Sequence, residues 1–144
     1  MRKSLLFAIM LLVGVVSASA QTIDDFFNEI KSGNTFSAMT LPKEQCKSQG
    51  FDALDLALSE TVNDAALQSL KSSLARLPKE QQMTEVNKDG AYVAIYVQPL
   101  SGGKSKLLIV AVNGDKGSVI KGICDDKLIK EQLQGFHLNN IFGD

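Results

Sequence analysis

Tryptophan is absent from this 144-residue chain, and tyrosine occurs only twice. Aromatic platforms for sugars or nucleobases are therefore poorly supplied. Histidine occurs once, at His137, and cysteine twice, at Cys46 and Cys124. A zinc site would struggle to find three ligands, and a dense disulfide scaffold is excluded. Neither sign of charge dominates, with 15 Lys and Arg against 16 Asp and Glu. Nucleic acid would need a clustered basic face, and the charge balance does not offer one. It equally gives no reason to expect attraction to an anionic membrane surface.

What is present begins at the N-terminus. Arg2 and Lys3 precede an apolar run from Leu5 to Val16, broken only by Gly14. Ala18-Ser19-Ala20 then supplies the small-x-small pattern of a signal-peptidase site. Residues 1–20 are expected to be a signal peptide, with Gln21 the mature N-terminus. Twelve apolar residues rise only about 18 Å, too short for a hydrocarbon core of about 30 Å. No transmembrane anchor is expected after cleavage, and no cysteine follows the run to carry a lipid. The expected location is outside the cytoplasm: periplasmic first, secreted or cell-surface otherwise. Cleavage leaves 13 basic against 16 acidic residues, a net charge of about −3. Residues 21–144 are one domain's worth of chain, enough to bury a core without metal.

Hydrophobic periodicity then divides that domain. Thr22 caps a helix in which Ile23, Phe26, Phe27 and Ile30 share one face, ending at Gly33-Asn34. Residues 34–41 read as extended up to Pro42, and 43–48 as a short helix ended by Gly50. Residues 51–59 are ambiguous: Phe51, Leu54 and Leu58 fit a helix, while Leu54, Leu56 and Leu58 alternate as in a strand. Propensity alone favours helix there. Asn63 or Asp64 caps the next helix, whose stripe is Leu67, Leu70, Leu74 and Leu77, with Pro78 as its stop.

From Met83 onward the period becomes that of strands. Strands are predicted to end and begin at Lys88-Asp89-Gly90, Ser101-Gly102-Gly103 and residues 113–117, all hairpin signals. Connections this short force antiparallel neighbours. Residues 107–112 are apolar throughout and read as a central strand covered on both faces. Asp125 and Asp126 open a last helix that stops at Gly135; the apolar residues of 136–144 show no clear period.

No motif rises to a catalytic, cofactor or metal site. Gly103-Lys104-Ser105 has Gln98 where a phosphate loop needs glycine, and a strand where it needs a helix. Residues 113–117 lack the spacing and closing Glu of a calcium loop. The pairs Asp24-Asp25 and Asp125-Asp126 sit where a helix N-terminus favours negative charge. Cys46 and Cys124 form a candidate disulfide, closing a long loop for about 4 kcal/mol. The alternative is two buried thiols packed as apolar residues. Either cysteine with His137 would be the only route to a thiol enzyme.

The run Met83-Thr84-Glu85-Val86-Asn87-Lys88-Asp89-Gly90, with Val93-Ala94-Ile95-Tyr96-Val97 and residues 107–112, resembles a family of small exported Bacteroidota proteins of unknown function. The leader ending at Ala20 before Gln21 is similar to leaders of that phylum. The resemblance spans about residues 22–135. It implies an α+β fold with an antiparallel sheet, makes 51–59 a strand, and carries over no catalytic residues.

The expected fold is a single α+β domain: a four-stranded C-terminal meander, one or two N-terminal strands, and helices on one sheet face. The expected function is a non-enzymatic exported module binding an envelope protein or a small ligand, with no cofactor. A small thiol enzyme and a structural envelope subunit are the alternatives. A homodimer through the uncovered sheet face is a further expectation, since something must cover residues 107–112 on their second side.

Overall fold

A computed structural model describes residues 21–135, with side chains through residue 131. The leader 1–20, the tail 136–144 and with it His137 lie outside the described residues. No helix of the described part is long and apolar enough to cross a membrane.

The described residues form four α-helices and six strands, in the order α1 (Ile23–Ser32), β1 (Ser37–Thr40), α2 (Lys43–Ser48), β2 (Phe51–Ser59), α3 (Asp64–Leu74), β3 (Gln82–Lys88), β4 (Ala91–Pro99), β5 (Lys104–Asn113), β6 (Lys116–Asp125) and α4 (Asp126–Gly135), with a single 3-10 turn, Lys79–Gln81, before β3. The strands form one antiparallel sheet in the order β1-β2-β6-β5-β4-β3. The fold is thus α+β, with the expected meander of β3 to β6 extended by two N-terminal strands. β5 and β6 occupy its centre, as the apolar run 107–112 requires.

Local chemistry explains the boundaries. The Thr22 hydroxyl accepts from the Asp25 amide while the Asp25 carboxylate accepts from the Thr22 amide, a reciprocal cap that starts α1. Asn63 accepts from the Ala66 amide and starts α3. That helix ends at Leu74, a turn earlier than its apolar stripe suggests, but Leu77 is still buried beyond it. Between β3 and β4 the loop is only Asp89-Gly90, and both residues have positive φ, 50° and 83°. Such a turn matches the right-handed twist of the strands it joins.

The strand at 51–59 overrides its helical propensity because two neighbours pair with it. β2 lies between β1 and β6, and its alternate residues divide cleanly between the two faces. Asp55, Ala57 and Ser59 look one way; Leu54, Leu56 and Leu58 look the other.

The first face carries the main core. Ile23, Phe26 and Phe27 of α1 and Leu70 and Leu74 of α3 pack on Ala57, Val119, Leu108 and Val110 of the sheet. Tyr96 Oη donates to the carbonyl of Leu74 at 3.3 Å, and the Tyr92 hydroxyl donates to Glu85. Burial first, and then the Glu85 carboxylate, push the Tyr92 phenol far up, so it stays a donor.

The expectation of helices on one face describes α1 and α3. α4 lies on the opposite face instead, where Leu128 and Ile129 meet residues of β2, β5 and β6, while α2 packs against β2. The short apolar stripe of α4 carried no sign of which face it would take.

Candidate functional site

Register across the second face brings mostly apolar residues into rows, with Thr84 at the β3 end. One row runs Met39, Leu56, Ile120, Ile109, Ile95 and Thr84, crossing all six strands. A neighbouring row runs Leu54, Gly122, Leu107 and Val97. Opposed residues of an antiparallel pair share a face, so these side chains form one continuous apolar surface.

At the β2–β6 end of that surface the chain builds a cleft of about 470 Å³. Its floor is Leu54, Leu56, Leu107, Ile109 and Ile120; Leu41, Gln49 and Phe51 wall one side, and Leu128 and Ile129 of α4 the other. Glycine makes this shape possible in two places. A Cβ on Gly122 would come within 2.7 Å of the Phe51 ring, so the bare backbone lets that ring lie over β6. Gly50, at φ +86°, turns the chain from α2 into β2 while touching Leu128 so closely that a Cβ would sit 2.9 Å from it. Among the described residues only Gln49 and the Cys124 thiol interrupt the apolar lining, and no charged side chain enters it. A cleft of this size falls within the usual range of ligand sites, and its lining is chemically suited to apolar groups.

The residues considered for chemistry are scattered. Cys46 on α2 is buried with its Sγ 3.6 Å from the carbonyl oxygen of Leu41, and Cys124 is buried at the end of β6 beside the cleft. Both thiols are free. Burial, reinforced by Asp125, Asp52 and Asp126, pushes the Cys124 thiol up to about 11. A nucleophilic cysteine needs the opposite shift. His137, the base such a reaction would use, lies outside the described residues. We expect a thiol reagent at neutral pH to leave the native protein unmodified and to titrate two thiols per chain in denaturant. A fast-reacting thiol in the native state would reopen cysteine chemistry, and no thiol in denaturant would mean a bridge.

Residues 101–103 and 114–115 are hairpin connections, as their glycines suggested. Of the acidic pairs, Asp25 caps, but Asp24 does more than favour a helix end. Its carboxylate reaches the sheet, 2.6 Å from Lys106 Nζ and 3.1 Å from Lys121 Nζ. Lys121 continues to Asp55 at 3.6 Å, and Asp55 accepts from the Thr40 hydroxyl at 2.6 Å. This polar strap joins α1 to four strands at the rim of the main core. Asp125 pairs with Lys104 at 2.7 Å, and Lys104 also meets Asp52 at 2.9 Å. Asp126 accepts from the Ser105 hydroxyl. Among the described residues no three His, Cys, Asp or Glu side chains gather as metal ligands.

The strap makes a pH prediction. Burial opposes the charge on Asp24, but the hydrogen bonds and charges of Lys106 and Lys121 outweigh it and hold the carboxyl below its ordinary value. A lowered folded value stabilises above the unfolded value of about 4, and that gain is lost as pH falls through the folded value. Asp24→Asn should therefore cost about 1 kcal/mol at neutral pH, the side chain being half exposed. Urea unfolding should show the gap narrowing as pH falls below the unfolded value of about 4. A gap that persists unchanged in acid would assign the loss to shape instead of charge.

Comparison with known protein families, curated proteins and solved structures finds no match for this chain.

Proposed function

We propose that this protein is a non-enzymatic exported binding module, periplasmic in its first-choice location, whose guest is the aliphatic part of a small amphipathic ligand. The observation that carries the reading is the cleft: about 470 Å³, floored by Leu54, Leu56, Leu107, Ile109 and Ile120, with no charged side chain among the described residues that line it. An apolar guest loses nothing by leaving water for such a surface, at about 25 cal/mol per Å² buried. Export follows from the leader with its Ala18-Ser19-Ala20 site. The resemblance to exported Bacteroidota proteins of unknown function agrees with that address and adds no activity.

A thiol enzyme is disfavoured by the raised Cys124 thiol and by the depth at which Cys46 is held. Strand addition by a protein partner has two edges available, β1 and β3, which have no further neighbour among the described strands. It needs no cleft, however, and so leaves the most distinctive feature unexplained.

The test is titration of the mature chain, residues 21–144, with a fluorescent long-chain fatty acid. Saturable binding of one probe per chain, displaced by an unlabelled fatty acid, is the expected result. Binding that never saturates would remove the apolar-guest reading.

A further inference from the structure

The cleft has a direction. Three rows of side chains cross its floor at two-residue steps along the strands. The first sets Cys124 of β6 between Phe51 of β2 and Ser105 of β5. The second holds Leu54, Gly122 and Leu107, and the third Leu56, Ile120 and Ile109. Four residues of strand separate the first row from the third, roughly 13 Å. The polar part of the lining, Cys124 and Gln49 just before Phe51, belongs to the first row, and the third row is wholly apolar.

Charge gathers at that same end. Asp52 follows Phe51, Asp125 follows Cys124, and Asp126 opens α4, whose first turn walls the cleft with Leu128 and Ile129. Ser105, only 5% exposed, donates its hydroxyl to Asp126, and the Asp126 amide donates to the carbonyl of Gly103 at 2.9 Å. Asp126 is thereby fixed at the mouth. A single cation, Lys104, serves the other two carboxylates, 2.7 Å from Asp125 and 2.9 Å from Asp52. Three Asp against one Lys leave this end net negative. The Cys124 thiol registers the field: after burial, Asp125, Asp52 and Asp126 raise it, and Lys104 offsets them only in part. Lys127 and Lys130, the other described lysines of α4, are exposed and do not enter that balance.

We propose that the guest lies along the strands, its aliphatic chain over Leu56, Ile109 and Ile120 and its head at the Cys124 end, and that this head is a primary amine. The inference rests on the binding function proposed above and deepens it by naming the guest as a long-chain amine. An ammonium enters with the field, donating to the Gln49 amide oxygen and to the exposed oxygens of Asp52 and Asp126. A carboxylate enters against it. A fatty acid still fits by its chain, and so reports on the cleft, but it is the weaker guest; complementary charge selects among guests whose tails bind alike. The reverse orientation would set the ammonium on leucine and isoleucine.

The test is calorimetric titration of the mature chain, residues 21–144, with dodecylamine, dodecanol and dodecanoate at neutral pH, each kept below its micelle concentration. One site is expected for each, with a Kd for the amine about tenfold below that of the acid and the alcohol between them. Asp52→Asn with Asp126→Asn should bring amine and acid together. Asp64→Asn with Asp115→Asn removes as much charge at the opposite end of β6, where Val62 bonds to Asp115, and should leave the difference intact. Equal affinity for amine and acid, or a tighter acid, overturns the inference and leaves the apolar cleft standing. Binding by none of the three removes the cleft reading and the inference with it. Amine binding that survives Ile109→Lys at full strength also overturns it, by placing the amine on acidic surface outside the cleft. If the Asp52 and Asp126 variant fails to fold, the wild-type comparison of amine with acid decides alone.

Discussion

Replacing Phe26 by alanine should destabilise the protein by about 3–5 kcal/mol. Phe26 is fully buried, among the largest side chains with no surface in water, and stands between α1 and the sheet. Truncation removes the ring's transfer free energy and leaves a cavity that Ile23 and Phe27, fixed on the same helix, cannot refill. A domain of this size has about 5–15 kcal/mol in total. The thermal midpoint, followed by circular dichroism because the chain has no tryptophan, should fall by about 10 °C or more. Leu58→Ala is the matched control, since Leu58 is half exposed and should change stability little. Similar losses in the two variants would mean that α1 is not the anchor of the core.

Ile109→Lys should lower fatty-acid affinity by at least about tenfold, or 1.4 kcal/mol. Ile109 lies in the middle of the row from Met39 to Thr84 and in the floor of the cleft. A lysine there either buries its ammonium beside the guest or lifts it toward water, laying its stem through the space the guest requires. Because Ile109 is only half-buried, the fold should survive, and circular dichroism can verify that before binding is measured. Met83→Lys supplies the control: Met83 is exposed on the edge strand β3 and is not part of the lining. Equal affinity for the wild type and the Ile109 variant would place the probe somewhere other than the cleft.

Much of this architecture was legible in the sequence because its causes are local. Thr22 and Asp25 are three residues apart, and their capping pattern announces α1 wherever it occurs. Asp89-Gly90 demands a tight hairpin regardless of the rest of the chain. β2 was harder. Leucine and alanine favour helix locally, and what decides for a strand is pairing with β1 and β6, which no window around residue 55 contains. The resemblance, not the residues, supplied that assignment.

The cleft and the strap were less legible, for the same reason. Leu54 and Leu107 share a floor only because both oppose Gly122 in register. Asp24 reads as a helix-end acid until α1 is laid on the sheet, where Lys106 and Lys121 wait for it. The separate faces taken by α1 and α4 belong to the same class of fact. An amphipathic stripe says that a helix must be covered, and not by what.

The order β1-β2-β6-β5-β4-β3 has a consequence for how the molecule comes into being. The meander from β3 to β6 can zip by nearest-neighbour hairpins as its residues emerge. β2 cannot: Ser59 must wait for Gly117, and Phe51 for Cys124, before its inner edge is paired. The N-terminal half is therefore an unfinished sheet until the final strand is made, held by little beyond the short β1. Closing that long-range pairing is the slow, entropically costly step. The chain commits to its native form all at once and late, and neither half should persist as a folded fragment if the chain is cut between α3 and β3.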